Sequence, residues 1–100
     1  MKGGFATLLL VCCALSHAET WQFGLIGDVP YTEYERNEMP RLLDTMADKK
    51  LAFIVHIGDL KSGKDRCDNR LFEDRYALFN SSRVPFVYVP GDNEWSDCDR

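Results

Sequence analysis

The sequence predicts an α/β protein in which three strands and two helices alternate as β-α-β-α-β around a parallel sheet. Three short apolar runs recur, at residues 21–26, 52–57 and 84–90, and two stretches with apolar residues at helical spacing separate them. The runs are nearly continuous in hydrophobicity rather than alternating, which suits parallel strands covered on both faces. Each run closes on Gly-Asp: Gly27-Asp28, Gly58-Asp59 and Gly91-Asp92.

The first run, Trp-Gln-Phe-Gly-Leu-Ile, leads into a helical stretch striped by Met39, Leu42, Leu43, Met46 and Ala47. Pro40 is tolerated if it lies in that helix's first turn with Asn37 as cap. Alternatively Thr32 and Glu35 form a capping box, and Pro40 interrupts one longer helix. The second strand, Ala-Phe-Ile-Val-His-Ile, precedes a helix that starts near Asp68, is striped by Leu71, Phe72, Tyr76 and Phe79, and ends at Asn80-Ser81-Ser82. That tripeptide is also a glycosylation sequon, which chance explains. This order places the strands side by side with right-handed crossovers.

Residues 1–18 read as a signal peptide: Lys2 supplies the positive start, residues 5–15 the apolar stretch, and Ser16-His17-Ala18 a small-residue cleavage site. Residues 19–100 are then one unit, exported to a periplasmic or secreted location. Loss of Lys2 turns the net charge of −4 into −5. An acidic chain without a basic cluster does not fit a nucleic-acid partner. No apolar run reaches the roughly 18 residues that span a bilayer, so no stable membrane anchor is expected. Cys12 and Cys13 leave with the signal, while Cys67 and Cys98 remain. An even pair in an exported chain points to one disulfide, as against two unrelated thiols. About 80 residues in this order make half of an α/β sheet lacking cover on one face, so the chain reads as part of something longer.

The chemistry lies in Asp28, Asp59 and Asp92, each placed where a parallel sheet presents ligands, outside the carboxyl ends of its strands. The preceding glycines let the backbone turn there. Three carboxylates converging on that rim repel one another unless something neutralises them. Divalent cations are the simplest neutraliser, and oxygen ligands suit hard or borderline metals. A single Gly-Asp is merely a turn, but three at equivalent strand ends are a pattern.

Gly27-Asp28, Gly58-Asp59 and Gly91-Asp92-Asn93-Glu94 resemble the first three motifs of the calcineurin-like metallophosphoesterases, D-x-H, G-D and G-N-H-E/D, in order and spacing. The resemblance spans residues 19–100. It implies the N-terminal half of a four-layer α/β/β/α sandwich and an exported, metal-dependent hydrolase of phosphoesters with a phosphorylated small-molecule or ester substrate. It also implies two divalent or trivalent ions (Mn, Fe, Zn or Mg). By position, Asp28 binds the first ion, Asp59 bridges both and Asp92 takes the place of the family's asparagine ligand. Pro30 replaces the D-x-H histidine, and the neighbouring Tyr31 is a substitute ligand or a packed aromatic. Asn93 replaces the histidine that protonates or stabilises the leaving group. An amide donates a hydrogen bond but no proton at neutral pH. The family's later histidine ligands fall beyond Arg100, so the 100-residue chain alone is expected to be inactive.

The alternative function is a non-catalytic metal- or ligand-binding domain on the same fold. Cys67 and Cys98 follow the second and third Gly-Asp in loops above one sheet edge, where a bridge ties those loops together. Lys61, Lys64 and Arg66 either attract an anionic substrate or form a solvated loop face. Glu94 is expected to orient its loop, and His56 to be a hydrogen-bonded core residue. Residues 58–65 nearly match a phosphate-binding G-x-x-x-x-G-K-[ST] loop, but Asp65 replaces the final hydroxyl and Asp59 puts a carboxylate inside the cradle.

Overall fold

The computed structural model describes residues 18–98, so the expected signal segment, except for Ala18, lies outside the described residues. The elements run β1 (Gly24–Ile26), α1 (Glu33–Ala47), β2 (Ile54–His56), α2 (Asn69–Asn80), β3 (Phe86–Tyr88) and a 3-10 turn (Asp92–Glu94). The sheet is parallel in the order β1-β2-β3. Each regular strand is shorter than its apolar run. Pairing nevertheless continues beyond the ends, with Ala52 N–H donating to the Gln22 carbonyl, Ile57 N–H to Ile26 and Val89 N–H to His56.

Helix α1 takes the longer of the two readings. Thr32 and Glu35 form a reciprocal capping box that satisfies amides of the first turn, and Pro40 sits inside the helix. The missing Pro40 N–H removes one helical bond, at an exposed position of the helix. Asp68 caps α2, accepting from the Arg70 N–H at 2.7 Å. Its inward stripe differs by one position from the expected one: Arg75, Leu78 and Phe79 are buried, whereas Tyr76 is 71% exposed.

Both helices cover the same face of the sheet. The core joins Met39 and Leu43 of α1 to Ile54, Leu60, Leu78, Phe79 and Val84, with Ile26, Phe86 and Tyr88 packed against it. Right-handed crossovers between strands added in one direction put successive helices on one side. Among the described residues no element covers the other face. Leu25, Val55 and Val87, which pair in register, point that way, and Leu25, Ile57, Val87 and Val89 are exposed. The expectation of strands covered on both faces is therefore met on one face only. Among the described residues no helix is long and apolar enough to cross a membrane.

Ile54 is fully buried at the centre of the sheet. Replacing it with alanine leaves a cavity under both helices. Ile54→Ala is expected to cost about 2–5 kcal/mol in denaturant unfolding; a loss below about 1 kcal/mol would show that the core collapses around the gap.

Candidate metal centre at the strand ends

The turns after β1 and β2 are made by the aspartates. Asp28 and Asp59 hold left-handed backbones, with φ of 58° and 60°. Asp tolerates this region better than most residues, at a cost of order 1 kcal/mol, and such positions cluster at functional sites. The glycines serve mainly close approach instead. A Cβ on Gly58 would lie 2.5 Å from the Gly91 nitrogen, and one on Gly91 would collide with the Asp59 carboxylate. The loops after β2 and β3 thus touch backbone to backbone. Gly58 alone among the three has a positive φ, 108°.

His56 braces the first two turns from below. It is fully buried; its Nε2–H donates to the Val29 carbonyl at 2.7 Å, and its Nδ1 accepts the Gly58 N–H at 3.1 Å. Only the Nε2-protonated neutral ring satisfies both. One core histidine therefore links the loop of Asp28 to that of Asp59. Glu94 fastens the other side. Its Oε1 accepts from Leu60 N–H at 3.1 Å, Gly91 N–H at 3.3 Å and Tyr88 Oη–H at 2.6 Å. Burial and the Glu94 carboxylate push the Tyr88 phenol above its ordinary range, so Tyr88 is a permanent donor here. Glu94 orients its loop, as expected, and among the described residues its buried Oε2 has no hydrogen-bond partner.

The site residues meet around Asp59. Asp59 Oδ1 accepts the Asn93 N–H at 3.1 Å, and the charge of the neighbouring Asp92 raises the same carboxyl group. Asp28 joins through Tyr31, whose Oη–H donates to Asp28 Oδ1 at 3.0 Å. Asn93 Nδ2 donates to the Lys61 carbonyl at 3.0 Å and to Tyr31 Oη at 3.4 Å. Burial, then the bond to Asp28, pushes the Tyr31 phenol up to about 12. Asp59 and Asp92 thus share one turn region, whereas Asp28 joins it only through Tyr31. Among the described residues no three His, Cys, Asp or Glu side chains form a group able to hold an ion by themselves. The oxygens of Asp28 and Asp59 are partly claimed by donors from neighbouring loops.

The donor chemistry nevertheless suits a hard or borderline cation. It comprises carboxylate and phenol oxygens, with the charges of Asp92 and Glu94 near enough to Asp59 to raise it. Burial holds the Asp59 carboxyl above its usual range, opposed by the Asn93 N–H and reinforced by the charges of Asp92 and Glu94.

The cysteines form the Cys67–Cys98 disulfide, with Cα atoms 5.2 Å apart and a sequence separation of 31. It ties the loop after Asp59 to the turn after Asn93. A loop of that size is worth about 3–4 kcal/mol by restriction of the unfolded chain. Lys61 departs from both expectations for it. It is fully buried, its Nζ donating to the Ser62 and Asp65 carbonyls at 3.2 and 2.9 Å, while Lys64 and Arg66 are exposed. Its ammonium structures its own loop. The phosphate-loop geometry is also absent, since the helix after residues 58–65 begins only at Asn69.

Sequence reasoning missed Arg75, which donates from Nε to the Leu60 carbonyl at 3.1 Å. The available signal was spacing: position 75 lies four residues after Leu71 and four before Phe79, on the apolar stripe.

Fold and site together define an α/β protein with an acidic, oxygen-rich centre at the carboxyl ends of a three-stranded parallel sheet. Comparison with protein-family models, curated proteins and solved structures returned no match for the chain.

A carboxyl raised on folding stabilises the fold when protonated, and loses that contribution as pH rises from its unfolded value through its folded one. The metal-free protein should therefore gain melting temperature at neutral pH on Asp59→Asn, with the gain vanishing near pH ~3 where both forms are neutral. Melts that run parallel across this range would show that the Asp59 charge is not strained.

Proposed function

We propose that this chain carries metal-holding residues of the active site of an exported, metal-dependent phosphoesterase of the calcineurin-like kind. The observation that supports it most is the packing of Asp59 against the Gly91-Asp92-Asn93 turn at the carboxyl end of a parallel sheet, where its Oδ1 accepts the Asn93 N–H and the charge of Asp92 raises its carboxyl. A cation relieves that repulsion. Asp59, Asp92, Asp28 and Tyr31 are the residues that would hold it.

When bound, a pair of divalent or trivalent ions supplies Lewis-acid polarisation of a phosphoryl group and a more acidic water. The chain's own part is placement. His56 and Glu94 hold the aspartate turns against each other, and the left-handed backbones keep the carboxylates at the rim. Asn93 stands at this rim with its Nδ2 donating, and its longer bond, to Tyr31, is the one a leaving-group oxygen would replace. Tyr31 can ligate only after giving up a firmly held proton. The open apolar face with Leu25, Ile57, Val87 and Val89 favours a second β-layer on this side, as the four-layer sandwich requires.

One observation favours the second reading, a non-catalytic metal- or ligand-binding domain. Asn93 provides no transferable proton, and its amide is already bonded to Lys61 and Tyr31.

Metal analysis and hydrolysis of an aryl phosphate by the full-length protein separate the two. Turnover with bound metal, both lost in Asp59→Asn, is expected; metal uptake without turnover selects the binding domain, and turnover retained in Asp59→Asn removes Asp59 from the site. Asn93→His should raise turnover of an alkyl phosphate by roughly a hundredfold, and of an aryl phosphate less, because only the poorer leaving group needs a proton. Equal effects on both esters would exclude position 93 from leaving-group chemistry.

A further inference from the structure

Arg75 is nine-tenths buried on the inward stripe of α2, between Leu71 and Phe72 on one side and Leu78 and Phe79 on the other. A charge there is costly unless its donors are met. Its Nη1 donates to Asp74 Oδ2 at 2.5 Å. Asp74 in turn is gripped from α1 by Arg36, whose Nη2 donates to Oδ1 at 2.6 Å and whose Nε donates at 3.1 and 3.2 Å. That leaves Arg75 Nε aimed at the Leu60 carbonyl, 3.1 Å away. On the other side of Leu60, the N–H donates to Glu94 at 3.1 Å. Both backbone polar groups of the residue after Asp59 are therefore held by charged side chains, and Leu60 itself is buried.

We infer that Arg75, braced by Asp74 and Arg36, is a positioning residue for Asp59. By fixing the Leu60 carbonyl it closes the left-handed turn and sets the Asp59 carboxylate against Asp92. Lysine cannot replace it, because a point ammonium lacks the planar fork that serves Asp74 and Leu60 together. What the aimed carboxylate binds rests on the phosphoesterase reading; the positioning itself does not.

The test uses full-length protein and two readouts, amide hydrogen exchange without metal and Mn2+ titration. In Arg75→Met the Leu60 amide should exchange about tenfold faster, while the Ile54 amide, bonded to the Pro85 carbonyl in the sheet, keeps its rate. Mn2+ affinity should fall about tenfold, as when a group orienting a metal ligand is removed. Arg75→Lys should fail in the same way. Should Arg75→Met not fold, Asp74→Asn, which keeps Arg75 but loosens its brace, should give a smaller change of the same sign. Equal acceleration at Leu60 and Ile54, or none at either, overturns the inference. Mn2+ affinity unchanged in a variant whose wild type binds Mn2+ overturns it as well. A wild type that takes up no Mn2+ but shows the selective Leu60 effect upholds the positioning and removes the phosphoesterase reading.

Discussion

Holding Asp59 at a φ of 60° is unfavourable for a residue with a Cβ, and the surrounding contacts make that conformation persist. Leu60 is pinned through both its amide and its carbonyl. The Asp59 carboxylate receives the Asn93 amide and leaves no room for a side chain at Gly91. Gly58 lies against the backbone of Gly91, so the loops after β2 and β3 form one packed unit. Almost every other feature of the strand-end region either supplies one of these contacts or supports a residue that does.

The distribution of charge follows the same division. Away from the rim, Asp74 lies between Arg36 and Arg75, and Arg36 above all holds its carboxyl below the usual range. That arrangement contributes stability above the ordinary carboxylate range, which is lost as pH falls. At the rim the sign reverses. Asp59 is raised by burial and by acidic neighbours, and its charge opposes the fold at neutral pH. The helices thus carry electrostatics that favour the folded state, and the sheet end carries electrostatics that oppose it. A region that resists its own charge is the kind that a ligand of opposite charge stabilises most.

Covalent and apolar forces hold this arrangement in place. The Cys67–Cys98 bond joins the segments that flank Asp59 and Asn93 in sequence. Among the described residues the core packs on the helical face, while the other face presents Leu25, Val55 and Val87 in a row. His56 belongs to both regions. Its ring lies tilted against Phe79, Phe86 and Tyr88 while its nitrogens serve the turns of Asp28 and Asp59.

The order of elements, the cap of α2, the strand-end placement of Asp28, Asp59 and Asp92, and the cysteine pairing were legible in the sequence, whereas the cap of α1 was left between Asn37 and Thr32. Each depends on short-range patterning or, for the cysteines, on count and compartment. Hydropathy alone turned the α2 stripe toward Tyr76, because an arginine on the inward side looks like an interruption until its partners are known. It also left open which face of the sheet is covered, since a continuous apolar run reads the same from either side. Only the tertiary structure decided that Lys61 is buried, that Glu94 grips Leu60 across 34 residues, and that Arg36 reaches Asp74 across 38. The physical reason is that a polar atom's role is set by the partner facing it, and folding brings those partners from distant positions that no local pattern records.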